Sequence, residues 1–188
     1  MRKDTIWNML LIAAWLLGWI PLRNSRAQSR PPTEYEIKAA FLYEFARFVE
    51  WVPATASASD SFAICVLGVD PFGVLLDEAV KDKTTNGYKV IAKRIVGAKD
   101  AGDCRILFVS PSEDNRLPEI LKVLEGRNIL TVGEGNQFTR RGGMISFRTE
   151  ESRVRLTINT SATDRAGLKV SSQLLKLASI QRSGDSGS

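Results

Sequence analysis

Three short apolar runs, none of them alternating with polar residues, constrain this 188-residue chain more than any other feature. Residues 62–67 read FAICVL, residues 105–109 RILFV and residues 129–132 ILTV. A continuous apolar run of this length predicts a strand buried on both faces. Such strands belong to sheets covered by helices, and parallel neighbours need a crossover between them. Helical patterns fall where that rule wants them. Residues 72–80 predict a helix opened by Asp70-Pro71. Asn86-Gly87 predicts a turn into another strand over 88–96. Leu117, Ile120, Leu121 and Leu124 lie on one helix face, with Ser110 or Ser112 as cap and Gly126 as stop. The pattern predicts an α/β fold with a mainly parallel sheet flanked by helices.

The two ends of the chain depart from that rhythm. Thr33 and Glu36 form a capping box for a helix over 34–51, stopped by Pro53. Its apolar residues cover most of its circumference, so it either lies deep in the domain or presents one face to a partner. Near the other end, residues 144–148 and 154–158 alternate apolar and polar positions around a polar turn. They predict an antiparallel edge hairpin near the C-terminus. Helices follow over 160–166 and 171–179.

The first 27 residues read as a secretory signal peptide. Arg2 and Lys3 precede an apolar run of 15 residues from Ile6 to Ile20, and Ser25-Arg26-Ala27 supplies a small-residue cleavage site. That run is short of the roughly 20 residues a membrane-spanning helix needs. Cleavage after Ala27 and export across a membrane follow; the alternative is an uncleaved N-terminal anchor. Residues 28–33 predict a flexible leader, 34–180 a single α/β domain and 181–188 a disordered tail.

Removing the signal changes the charge argument. The whole chain has 26 basic and 21 acidic residues, whereas the 161 residues after Ala27 carry 22 and 20, a net of +2. A charge this small leaves no footprint for nucleic acid. The chain has no histidine, which removes histidine-based triads, histidine-ligated metal and the usual neutral-pH proton shuttle. No cofactor, metal site or catalytic group is expected, and binding is favoured over catalysis. Cys65 and Cys104 are an even pair in an exported chain, which favours a disulfide; the alternative is two buried free thiols.

Several positions are candidates for binding. Asp70 and Gly73 lie in a strand-to-helix turn that could receive a ligand or simply relieve backbone strain. Gly133 lies at a strand end, where open α/β sheets bind ligands. Lys169, Ser171 and Ser172 join two predicted helices, and Ser171 also suits a helix cap. On the first helix, Tyr35, Leu42, Ala46 and Val49 are expected to contribute to a surface for a partner or for a homodimer, because one core can cover only part of an encircling apolar surface.

Taken in order, several segments resemble the YfiR family of periplasmic proteins. They are residues 34–43 (EYEIKAAFLY) continuing to Phe48-Val49-Glu50-Trp51, then 64–68 (ICVLG) with Asp70-Pro71-Phe72-Gly73. Residues 104–110 (CRILFVS), 130–133 (LTVG), 142–145 (GGMI) and 165–178 (RAGLKVSSQLLKLA) complete the series. The resemblance implies a small periplasmic α/β regulator. In the best-known case such a protein inhibits an inner-membrane diguanylate cyclase by binding its periplasmic domain. An outer-membrane lipoprotein sequesters the inhibitor, and cyclic-di-GMP and biofilm formation rise. The family's cysteine pair matches Cys65 and Cys104. A second pair found in some members is absent here, where Thr139 and Ser146 lie in that region. The family also occurs beside sensor kinases, so a small-molecule sensor acting with a kinase is the alternative implied.

Overall fold

The computed structural model describes residues 30–51 and 61–181. The expected signal peptide lies outside the described residues, as do residues 28–29 of the leader and residues 182–188 of the tail.

The elements in chain order are α1 (Glu34–Phe48), β1 (Val49–Trp51), β2 (Ser61–Leu67), α2 (Val74–Val80), β3 (Thr84–Thr85), β4 (Tyr88–Ile95), β5 (Cys104–Val109), α3 (Leu117–Leu124), β6 (Leu130–Glu134) and α4 (Asn136–Arg140). They continue as β7 (Ile145–Glu150), β8 (Arg153–Asn159), α5 (Thr160–Arg165), β9 (Leu168–Val170), α6 (Ser172–Lys176) and β10 (Ala178–Gln181). Eight strands form one sheet in the order β10-β8-β7-β6-β5-β2-β4-β3, and β1 pairs with β9 in a separate two-stranded ribbon. The pairs β4–β2, β2–β5, β5–β6 and β6–β7 are all parallel. Among these five strands the first in sequence, β2, is flanked by the second and third, the order of a doubly wound sheet of flavodoxin type.

The unbroken apolar runs are explained by two cores. In β2, Phe62, Ile64 and Val66 enter one core while Ala63, Cys65 and Leu67 enter the other. In β5, Ile106 and Phe108 face the first core and Leu107 and Val109 the second. The side chains alternate as strand geometry requires, but both faces are dry. The crossovers β2-to-β4 and β5-to-β6 run in opposite directions along the sheet. Right-handed connections then put their helices on opposite faces. Accordingly Leu76 and Val80 of α2 belong to the first core, with Ala39, Leu42 and Phe45 of α1. Leu117, Ile120 and Leu124 of α3 belong to the second. Cys65 and Cys104 form a disulfide in that second core, with Cα atoms 5.8 Å apart.

Five sequence expectations are corrected. The first helix ends at Phe48 rather than at residue 51. Val49, Glu50 and Trp51 instead pair with Val170, Lys169 and Leu168, and Ser171 N–H donates to the Phe48 carbonyl. The second helix begins at Val74, after a Gly73 with φ +52°. The hairpin of β7 and β8 forms around Glu151-Ser152, both at positive φ as a two-residue turn of this hand requires. It is not at the sheet edge, because β10 pairs in parallel outside β8, Ala178 opposite Leu156. The last helix stops at Lys176, and Gln181, expected in the tail, is the final residue of β10. Its side chain accepts a hydrogen bond from Thr139 Oγ1. Among the described residues no helix is long and apolar enough to cross a membrane.

Candidate functional site

The carboxyl edge of the parallel sheet collects most of the polar structure. The register of β2 on β4 places Leu67 opposite Ile95, so the segments after both strands emerge side by side. Arg94, near the end of β4, locks them. Its Nε donates to Asp70 at 2.8 Å and its terminal nitrogens to both oxygens of Asp77 at 2.7 Å. It also donates to the Gly73 carbonyl at 2.6 Å. The two-pronged bond from Arg94 holds the Asp77 carboxyl below the usual carboxylate range. Asp70 accepts from Phe72 N–H as well. Asp70 and Gly73 therefore build a rigid turn around a guanidinium. The same segments carry three exposed valines, Val69, Val74 and Val96.

Between β2 and β5 lies the crevice where sheets of this order usually take a ligand. The chain fills it. Val69 N–H donates to Ser112 Oγ at 3.0 Å, and Ser110 N–H to the Leu67 carbonyl at 3.0 Å. Gly68 has φ +90°, and a Cβ there would lie under 3.0 Å from Ser112 Oγ and Glu113 Cγ. Gly133 is likewise packing rather than a ligand turn. It is buried inside β6, and a Cβ on it would strike the Phe138 ring.

A second polar cluster went unnoticed in the sequence. Lys38 of α1 is 2 % exposed and lies 2.5 Å from Glu34 and 3.0 Å from Glu134, the last residue of β6. Its ammonium also sits 4.6 Å from the centre of the Tyr35 ring. Burial alone would lower the Lys38 pKa; the hydrogen bonds it donates to Glu34 and Glu134 outweigh it and hold the group above its ordinary value. The hydrogen bond from Lys38 in turn holds Glu34 below its ordinary value. Tyr35 is pushed up, first by burial and then by the charge of Glu134. Lys38 is thus a permanent cation clamped between carboxylates, unsuited to act as a nucleophile. It fastens α1 to the carboxyl edge of the sheet. Among the described residues no group of three or more metal-ligating side chains could hold a metal ion.

The remaining candidates lie apart from this edge. Lys169 is exposed on β9, opposite Glu50. Ser171 caps α6 by accepting from Leu174 N–H, and Ser172 is exposed. Among the described residues no hydrogen bond or ion pair joins these three to Asp70 or Gly73.

The expected partner surface on the first helix is corrected. Leu42, Ala46 and Val49 are 0–2 % exposed, and Tyr35 is half-buried with its ring edge-on to Phe72. The apolar ring around the helix is consumed by the sheet on one side and by α2 and the β1–β9 ribbon on others, so these residues are core.

Fold and edge together define a helix-flanked, mainly parallel α/β domain. The chain belongs to the YfiR/HmsC-like family, whose model matches residues 35–179. Members of this family are non-enzymatic regulators that modulate a membrane signalling protein. No curated protein matches the sequence. Among solved structures, the crystal structure of a conserved domain protein from Vibrio cholerae O1 biovar El Tor shares 13% identity with a TM-score of 0.54. The match covers 79% of this chain and 60% of that one, so this chain spans less than two thirds of the length of that structure. At that identity the likeness concerns the fold.

Proposed function

We propose that this chain is an exported regulator that inhibits an inner-membrane diguanylate cyclase by binding the cyclase's periplasmic domain. The observation that carries the reading is the exposure of Val69, Val74 and Val96 on the segments that Arg94 ties together. Exposed apolar side chains on segments held by one ion-paired guanidinium suit a preorganised contact surface. Membership in the YfiR/HmsC-like family supports the same reading. Residues 34–180 act as one domain in this scheme, the signal is removed after Ala27, and an outer-membrane lipoprotein competes for the regulator. A switch moved from mostly on to mostly off needs roughly 5.5 kcal/mol of differential binding, within reach of a modest interface.

Deleting the gene should raise cyclic-di-GMP. Val69→Asp with Val96→Asp should reproduce the deletion while the protein remains folded and exported. Full repression by that variant would move the interface elsewhere, and unchanged cyclic-di-GMP on deletion would end the cyclase reading. Periplasmic protein should have the intact mass of a chain beginning at Gln28, whereas full-length mass in the membrane fraction would rule out cleavage.

A further inference from the structure

A cavity of about 510 Å³ opens beside the start of β6, on the side of the sheet covered by α3. This volume is within the range of small-molecule sites, roughly 300–1,000 Å³. Its floor is aliphatic: Leu121 and Leu124 from α3, Met144 before β7 and Ala166 after α5. No aromatic side chain lines it, so a flat ring would find nothing to stack on. Its walls carry four cations, Lys122, Arg127, Arg141 and Arg165, against one acid, Glu125. Among the described residues none of these four cations forms a salt bridge. Elsewhere Arg47, Arg94, Arg116 and Arg148 are ion-paired, whereas among the described residues Arg140, Arg153 and Arg155 are unpaired singly rather than gathered at one cavity. Arg127, Arg141 and Arg165 come from three separate segments, so their convergence is not the accident of one charged run.

We propose that this cavity binds a single-chain aliphatic anion, its carboxylate or phosphate head held by the arginines and its hydrocarbon chain laid on the leucine and methionine floor. Guanidinium groups suit both heads through paired N–H donors. The unpaired wall supplies attraction, and the aliphatic floor supplies discrimination against short anions. The inference is independent of the regulatory reading, since it concerns binding to the isolated protein.

Met1 and Met9 fall in the expected signal, so Met144 is the one methionine after Ala27. Protein labelled at the methionine methyl therefore gives a single resonance that reports from the cavity floor. Titration with decanoate and with decyl phosphate, both below micelle formation, should shift that resonance saturably. The tighter of the two identifies the head group. 1-Decanol and butyrate should bind at least tenfold more weakly. Arg127→Gln with Arg165→Gln, both exposed positions, should weaken the tighter ligand at least tenfold. Lys89→Gln with Arg153→Gln, which removes equal charge elsewhere, should change it less than twofold. An unshifted Met144 signal with both amphiphiles, or equal weakening in the two double variants, would overturn the proposal. Should the arginine double variant fail to fold, Arg141→Gln alone supplies the same comparison.

Discussion

The ammonium of Lys38 on the first helix lies 3.0 Å from the carboxylate of Glu134, the last residue of β6. Helix and sheet thus meet through a buried charge as well as through Leu42 and Phe45. Buried ion pairs are weak sources of net stability but costly to break from one side. Lys38→Met should therefore lower unfolding stability, by at most about 3–5 kcal/mol, because Glu134, 18% exposed, is left without its cation. Adding Glu134→Leu should recover most of the loss. Urea denaturation of the three proteins measures both, and a single variant as stable as the parent would show that the pair contributes nothing.

The same clamp sets a pH signature. Glu34 is held below its ordinary pKa by Lys38, so its contribution is present above the unfolded value, about 4.3, and is lost as pH falls through the lower folded value. Lys38 is held above its ordinary pKa, so its contribution is complete below the unfolded value, about 10.4, and is lost as pH rises through the folded value. Stability should be flat between these limbs. Denaturation midpoints from pH 3 to 11 should show both limbs shrinking in Lys38→Met; limbs of unchanged size would assign them to other groups.

Replacing both cysteines with alanine should cost about 2–5 kcal/mol, since the bridge closes a long loop. Thiol labelling of denatured, unreduced protein should find no free thiol. Labelling of both cysteines in freshly prepared periplasmic protein would contradict the bridge.

Leu42→Ala should destabilise the fold by about 2–5 kcal/mol, as expected for a large-to-small change at a fully buried leucine. Leu42→Glu should prevent folding. Purified Leu42→Glu protein with a parent-like melting temperature would restore the first helix as a surface.

Phe138 is wedged between two glycines. A Cβ at Gly133 or at Gly143 would strike its ring from either side. Gly133→Ala should cost about 1–3 kcal/mol by overpacking. Combining it with Phe138→Leu should cost less than the two changes summed. Strict additivity in a thermal-melt cycle would mean that the ring moves aside freely.

The central strands were legible because both their faces are dry, which erases alternation and leaves runs such as FAICVL. The ribbon of β1 and β9 and the edge strand β10 were not. Each has only three or four residues, and a partner distant in sequence decides its conformation: Val49 is a strand residue because Val170 lies beside it. Leu174, Leu175 and Leu177 suggest a helix through residue 179, yet Leu177 is 68% exposed and of the three only Leu174 is buried. Lys38 leaves a signal in the sequence. It stands four residues before Leu42 and seven before Phe45, on the core stripe of the helix, with Glu34 one turn away. A charged residue in that stripe must find a buried partner, and Glu134 was invisible until the sheet brought it near. Gly133 suggests a ligand position because it falls at a strand end; the demand of the Phe138 ring is a tertiary fact.

The Cys65–Cys104 bridge joins neighbouring parallel strands separated by 39 positions in sequence, and everything between them, α2, β3 and β4 included, becomes a covalent ring. A protease nick anywhere inside that ring cannot release a fragment. Clipped protein should migrate as one band on a denaturing gel until reductant is added, so backbone damage in this half of the sheet would pass unseen in any preparation analysed without it.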